Sequence, residues 1–322
     1  MSDVMTRKSL IVAGVLVLGA HAAATAAAEA QRHFPAVGAA MDAIAAAAAA
    51  ADMAALGAIL GPDSEDLYSS GDPVADRNAL QQFVDAMKAR TVIEYESPER
   101  VTFSVGDDEW PVPTPLVMDA QGWRFDGAAG KDEIVNRRIG RNELYAIEVM
   151  RDLVEAQEAY AAGDPMRSGV RQYAQRMVSS KGQRDGLYWP AAANEAPSPL
   201  GELAAAAAKE GYGDADTRNP VPFHGYLYRI LKAQGKQTSG GAKTYVADGK
   251  MTGGFAFVAW PADYGSAGIK SFLVNQQGIV FEKDLGADTE KVVAAMTEYN
   301  ADDSWDPVEE TEIEGPEVTS SP

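Results

Sequence analysis

The chain holds three histidines, His21, His33 and His224, and no cysteine. Without thiols there is no thiolate nucleophile, no disulfide, no iron–sulfur ligand and no thiolate zinc site. His224 is the residue best suited to general-base chemistry, because an unperturbed imidazole titrates near neutrality. A base needs a carboxylate to orient its ring, and Asp185 and Asp263 are the acids placed to provide one. Asp185 and His224 are therefore the catalytic candidates. The plainer reading of His224 is a hydrogen-bonded histidine at the start of an aromatic strand. His33 is expected in disordered chain near the N-terminus, and the two histidines that follow residue 30 are too few for a histidine-built metal site.

Other chemical signatures fail on spacing. No G-x-S-x-G elbow exists, and Gly265-Ser266-Ala267-Gly268 reads as a turn between strands. Gly235 and Gly240 have phosphate-loop separation, but Gly241 and Ala242 stand where Lys and Ser or Thr are required. Asp214-Ala215-Asp216 starts like a calcium loop and lacks the later glycine and glutamate. No cofactor and no metal is expected. Aromatic residues are denser: Tyr188, Trp189, Tyr212, Phe223, Tyr226, Tyr228, Trp260 and Tyr264 come from loops and strand ends of one region. Such rings stack on sugars or peptides when exposed and otherwise fill a core. Tyr188 and Trp189 are the binding candidates, and that role requires them to face solvent.

These groups sit in a chain with an export address. Arg7 and Lys8 precede an apolar run from Leu10 to Leu18, and Ala28-Glu29-Ala30 offers small residues for cleavage. Residues 1–30 read as a secretory signal peptide, which makes the mature protein periplasmic or secreted. The apolar run is too short for a membrane-crossing helix, so no stable membrane span is expected after cleavage. The formal charge is −19. An acidic surface repels phosphate backbones, so no nucleic-acid partner is expected. Lys131, Arg137, Arg138 and Arg141 form the densest basic cluster, interleaved with Asp132, Glu133 and Glu143, and read as a salt-linked helix start.

The elements that carry these residues fall into two α+β units. In residues 31–136, an alanine-rich helix from Ala36 to Leu60 is followed by a helix from Val74 to Ala89, with Asp72-Pro73 as its start signal. Strands are expected at Thr91–Tyr95, at Arg100–Val105, where apolar residues alternate, and at Trp123–Asp126. Trp110–Met118 carries Pro111, Pro113 and Pro115 and reads as an edge strand or extended segment. In residues 137–300, Asn142 is the expected cap of a helix running to about Ala162. A long polar connection with a short helix at Glu202–Glu210 follows. Strands at Phe223–Leu231 and Gly254–Pro261 lead to a hairpin of Ile269–Asn275 and Ile279–Asp284 about Gln276-Gln277-Gly278. A helix over Asp288–Tyr299 closes the unit. Residues 301–322 are acidic, lack Lys and Arg, and are expected to be disordered.

Several stretches carry a family resemblance: RRIGRNEL (137–144), DGLYWP (185–190), SPLG (198–201), PFHGYLYRIL (222–231), GFAFVAWPADYG (254–265) and VNQQGIVFEKDLG (274–286). In these the chain resembles the bacterial secreted family known as domain of unknown function 2950. The resemblance brings no activity, cofactor or catalytic residue with it. By fold analogy, residues 31–136 resemble an NTF2-like cone of helices on a curved sheet. Residues 137–300 are similar to a pilin-like long helix on an antiparallel meander. The reading that follows is a non-enzymatic envelope module that binds or assembles with an unknown envelope protein or polymer. The alternatives are a periplasmic hydrolase acting on glycan or peptide, and a minor pseudopilin-like secretion component.

Overall fold

The computed structural model describes residues 31–192, 194–212 and 221–309. The segment read as a signal peptide, the Asp214/Asp216 turn and residues 310–322 lie outside the described residues.

The alanine-rich opening forms two helices rather than one, α1 (Val37–Ala49) and α2 (Met53–Leu60). Alanine propensity favours continuity, but Ala51 takes a left-handed φ of 48° and Asp52 restarts the chain by accepting the Ala55 N–H. A short 3₁₀ turn at Glu65–Leu67 leads to α3 (Pro73–Ala89). Its first turn is set by Asp72, which accepts from Val74 and Ala75, and by proline at the first helical position. Four strands follow as an antiparallel meander: β1 (Thr91–Ser97), β2 (Arg100–Val105), β3 (Trp110–Asp119) and β4 (Gly122–Phe125). Alternation on β2 puts Val101, Phe103 and Val105 into a core shared with Ile44, Leu56 and Phe125. β3 is an inner strand, not the edge its prolines suggest. The missing N–H groups are tolerated because β4 pairs only from Leu116 to Asp119, and the β2 ladder shifts register between Val101 and Phe103. His33 is ordered: its Nε2 lies 3.0 Å from Asp119 Oδ2.

The expected helix cap at Asn142 is not a cap. One helix, α4, runs from Gly127 to Gly163, 37 residues or about 55 Å. Asn142 is buried in its middle, and the boundary expected at residues 136/137 falls inside it. The first part of α4 packs on β3. Gly130 makes this possible, since a Cβ there would sit 2.5 Å from the Pro113 carbonyl carbon and oxygen. The last part presents Ala146, Met150, Leu153 and Tyr160 to a second core.

That core is covered by α5 (Gly201–Glu210), β5 (Tyr226–Leu231), two small ribbons, β6 (Ala233–Gln234) with β7 (Lys243–Thr244) and β8 (Val246–Ala247) with β9 (Lys250–Met251), then β10 (Ala256–Pro261), β11 (Lys270–Asn275), β12 (Phe281–Asp284), α6 (Thr289–Ala295) and β13 (Asp306–Pro307). The main sheet has the order β13-β12-β11-β10-β5, antiparallel throughout. The fully buried rings of this core include Tyr226, Phe255, Phe257 and Phe272. Two expectations change. α6 ends at Ala295 instead of Tyr299. The start of the acidic tail is ordered, with β13 pairing along β12 and Trp305 8% exposed against the second core. Burial of one large ring outweighs the local excess of charge. The described chain is a mixed α+β protein with two apolar cores.

Candidate functional site

Three guanidiniums leave α4 within little more than a turn, and they do different things. Arg138 turns inward and is half-buried. Its Nε donates to Ser266 O at 3.0 Å, Nη1 to Ser69 O at 3.4 Å, and Nη2 to Ser266 Oγ at 3.1 Å and to Asp66 O. Burial pushes its pKa down, against the pull of Asp76 and Asp66. One turn on, Asn142 Nδ2 donates to Ala267 O at 2.9 Å. Glu143 Oε1 accepts the Ile269 and Lys270 N–H groups, both at 2.9 Å. Arg138, Asn142 and Glu143 thus fasten the β10–β11 connection to α4. Arg137 instead faces outward, pairs with Glu133 and lies 5.0 Å over the Trp110 ring. Arg141 is exposed and makes no ion pair or hydrogen bond among the described residues.

Arg137, Arg138 and Arg141 line one side of a cleft of about 420 Å³ between α3 and α4. Such a volume lies in the range of small-molecule pockets, about 300–1,000 Å³. Its floor is apolar: Leu56, Leu60, Phe103, Val105, Val112 and Phe125, all buried. Ala79, Leu80 and Phe83 of α3 and Ile134 of α4 form the walls. The exposed residues Ala79, Gln82, Trp110, Arg137 and Arg141 mark the mouth. Ser70, Asp76, Thr114 and Asn142 are the buried polar residues of the lining, and Ser70 and Asp76 bond to each other. Asp76 Oδ2 accepts the Ser70 N–H at 3.0 Å and Oδ1 accepts the Ser70 hydroxyl at 2.6 Å. Burial raises the Asp76 carboxyl above its ordinary value, and the Ser70 bonds oppose that rise. No histidine lines the cleft among the described residues.

Beside the cleft, Asp72 joins the two cores. Its Oδ1 caps α3, while Oδ2 accepts the Tyr212 hydroxyl and the Gly225 N–H, both at 2.9 Å. His224 sits in this junction with a left-handed φ of 50°. Its ring stacks on Tyr145 at 4.3 Å, and Nε2 lies 3.3 Å from Glu210 Oε2. Burial holds its pKa below the ordinary value, with Glu210 and Asp72 pulling the other way. The carboxylate on His224 is therefore Glu210, neither Asp185 nor Asp263. Asp185 is occupied elsewhere: it accepts from Ser180 N at 2.7 Å and Ser180 Oγ at 2.9 Å and pairs with Arg176 at 3.3 Å. Burial alone would raise its carboxyl, but these partners hold it below the ordinary carboxylate range.

Of the two aromatic candidates, Trp189 is 8% exposed, with Arg184 5.5 Å above its ring. Tyr188 is half-buried and lines a second cavity of about 610 Å³, together with Leu203, Tyr212, Phe223 and Trp260. Sequence reasoning missed Ser70, Asp76 and Arg141 as lining groups. The one available signal was the basic cluster. Lys131–Asp66 and Arg137–Glu133 do form ion pairs of the kind expected of it, but Arg138 and Arg141 do not.

A family model described as protein of unknown function (DUF2950) matches residues 31–308. The chain belongs to that family. No curated protein and no solved structure matches the chain.

Proposed function

We propose that this protein is an exported, non-enzymatic binding module of the cell envelope, and that the cleft between α3 and α4 takes a largely apolar ligand. The observation that carries the reading is the cleft itself, with an apolar floor drawn from helices and sheet strands and its cationic groups kept to the α4 side. A mixed unit of helices on a four-stranded sheet that encloses such a space is what an NTF2-like cone would provide. Export is supported by the basic and apolar pattern of residues 1–30 and by a family match that begins at residue 31. The hydrolase alternative needs Asp185 and His224 to converge, and each is taken up by other partners. The pseudopilin alternative needs a free N-terminal helix, whereas the long helix α4 is internal and buries residues along its length from Gly127 to Ala161.

The test is titration with the neutral fluorescent probe N-phenyl-1-naphthylamine. Enhanced, saturable fluorescence is expected, and Ala79→Trp, which fills the mouth, should weaken binding about tenfold, a loss of roughly 1.4 kcal/mol. Probe affinity unchanged by Ala79→Trp would remove the cleft from the reading. Export is checked separately by fractionation and N-terminal sequencing, with Gln31 expected as the first residue. An intact chain held in the cytoplasm would sink that half.

A further inference from the structure

Resting on the cleft reading above, we infer that the ligand is a single-chain amphiphile with an anionic head, and that Arg141 receives that head. The lining charges can be assigned one by one. Arg138 is taken up by four acceptors from the chain around it. Arg137 is matched by Glu133 and covered by Trp110. Asp76 has both carboxylate oxygens bonded to Ser70. Arg141 is left at the mouth, exposed, with no ion-pair or hydrogen-bond partner among the described residues.

Its position is unfavourable for the helix by itself. Arg137 and Arg141 stand four residues apart on α4, a like-charge spacing that destabilises a helix. Arg138 adds a third cation next to them. The chain as a whole carries −19, so carboxylates are plentiful, and still none pairs with Arg141 among the described residues. A cation left free at the rim of an apolar cleft matches a ligand whose tail fills the floor and whose anion stays at the mouth. The planar guanidinium suits a carboxylate or phosphate held by two parallel hydrogen bonds.

The test measures displacement of N-phenyl-1-naphthylamine by four ligands with the same twelve-carbon chain, all below their aggregation limits: dodecanoate, dodecyl phosphate, dodecanol and dodecyltrimethylammonium. One or both anions should compete about tenfold better than the alcohol, the ratio one charge-assisted hydrogen-bond pair gives. The ammonium should compete worst. Whichever anion competes better identifies the head as carboxylate or phosphate. In Arg141→Gln the anion-to-alcohol ratio should fall to about one. Equal competition by all four in the unaltered protein overturns the anionic head and leaves the apolar cleft standing. A ratio unchanged in Arg141→Gln overturns the role of Arg141. Failure of the probe itself to bind overturns the cleft reading before the head is at issue.

Discussion

At the scale of single residues, the junction gives the sharpest expectations. Asp72 is fully buried and serves four donors, two at the start of α3 and two from the other core. Replacing it by Ala removes a helix cap and strands the Gly225 N–H and Tyr212 hydroxyl. A cap contributes about 1 kcal/mol and an orphaned buried donor about 1–3, so a loss of about 3 kcal/mol is expected in urea unfolding. A loss under about 1 kcal/mol would mean the junction is wetter than its geometry implies. His224 gives a pH dependence. Its pKa is lowered in the fold, so in acid the unfolded chain binds the proton more readily. Stability contributed by the neutral ring is therefore full above the unfolded value of 6.5 and is lost as pH falls from there toward the folded value. His224→Asn keeps a residue that accepts positive φ and removes the titration. Between pH 7.5 and pH 5.5 the variant should lose less stability than the parent, by urea midpoints at the two values. Equal losses would assign the acid sensitivity to other groups.

At the scale of elements, two glycines of α4 should respond oppositely to the same change. Helix propensity favours Ala over Gly by about 1 kcal/mol. Gly140 is exposed with nothing within 4 Å of a new Cβ, so Gly140→Ala should stabilise by close to that amount. At Gly130 the new Cβ meets the Pro113 backbone at 2.5 Å, and overpacking of about 1–3 kcal/mol outweighs the propensity gain. Gly130→Ala should lower the thermal midpoint while Gly140→Ala raises it. A gain in both would show that α4 can lift off β3 without cost. The same glycines explain why α4 is not legible in the sequence as one helix. Gly127, Gly130 and Gly140 look like breakers along the chain, and only the tertiary approach of Pro113 gives Gly130 its reason. Elements with local signals are legible: Asp72-Pro73 before α3, the alternation of β2, the turn at Gln276-Gln277-Gly278. The cleft has no such signal, because its lining comes from α1, α2, α3, β2, β3, β4 and α4, each needed for other packing. The ordered piece of the tail escapes sequence reasoning for a related reason: composition governs a segment only until a buried ring such as Trp305 finds a core.

At the scale of the whole molecule, the question is whether two apolar cores melt as one. α4 packs on the first sheet and enters the second core, but a helix is marginal without a packed face, so its continuity alone transmits little once one core opens. Coupling must come from lateral bonds. Arg138, Asn142 and Glu143 tie α4 to the β10–β11 connection, and Asp72 ties the start of α3 to Gly225. Arg138 makes four hydrogen bonds, as many as Asp72 accepts, and its loss orphans the Asp66 and Ser266 backbone oxygens together, while Ser69 O keeps the Ser266 hydroxyl. Hydrogen bonds to a charged donor contribute about 1.5–3 kcal/mol each, so Arg138→Met removes several kcal/mol of coupling while leaving both cores packed. The parent should show one calorimetric transition, and Arg138→Met should show two, the lower belonging to the smaller first core. A ligand in the cleft touches α3 and α4 at once, so the probe should raise the lower transition of the variant and leave the upper one in place. A single transition that merely shifts downward in Arg138→Met would mean that the burial of α4, rather than its lateral bonds, unites the molecule.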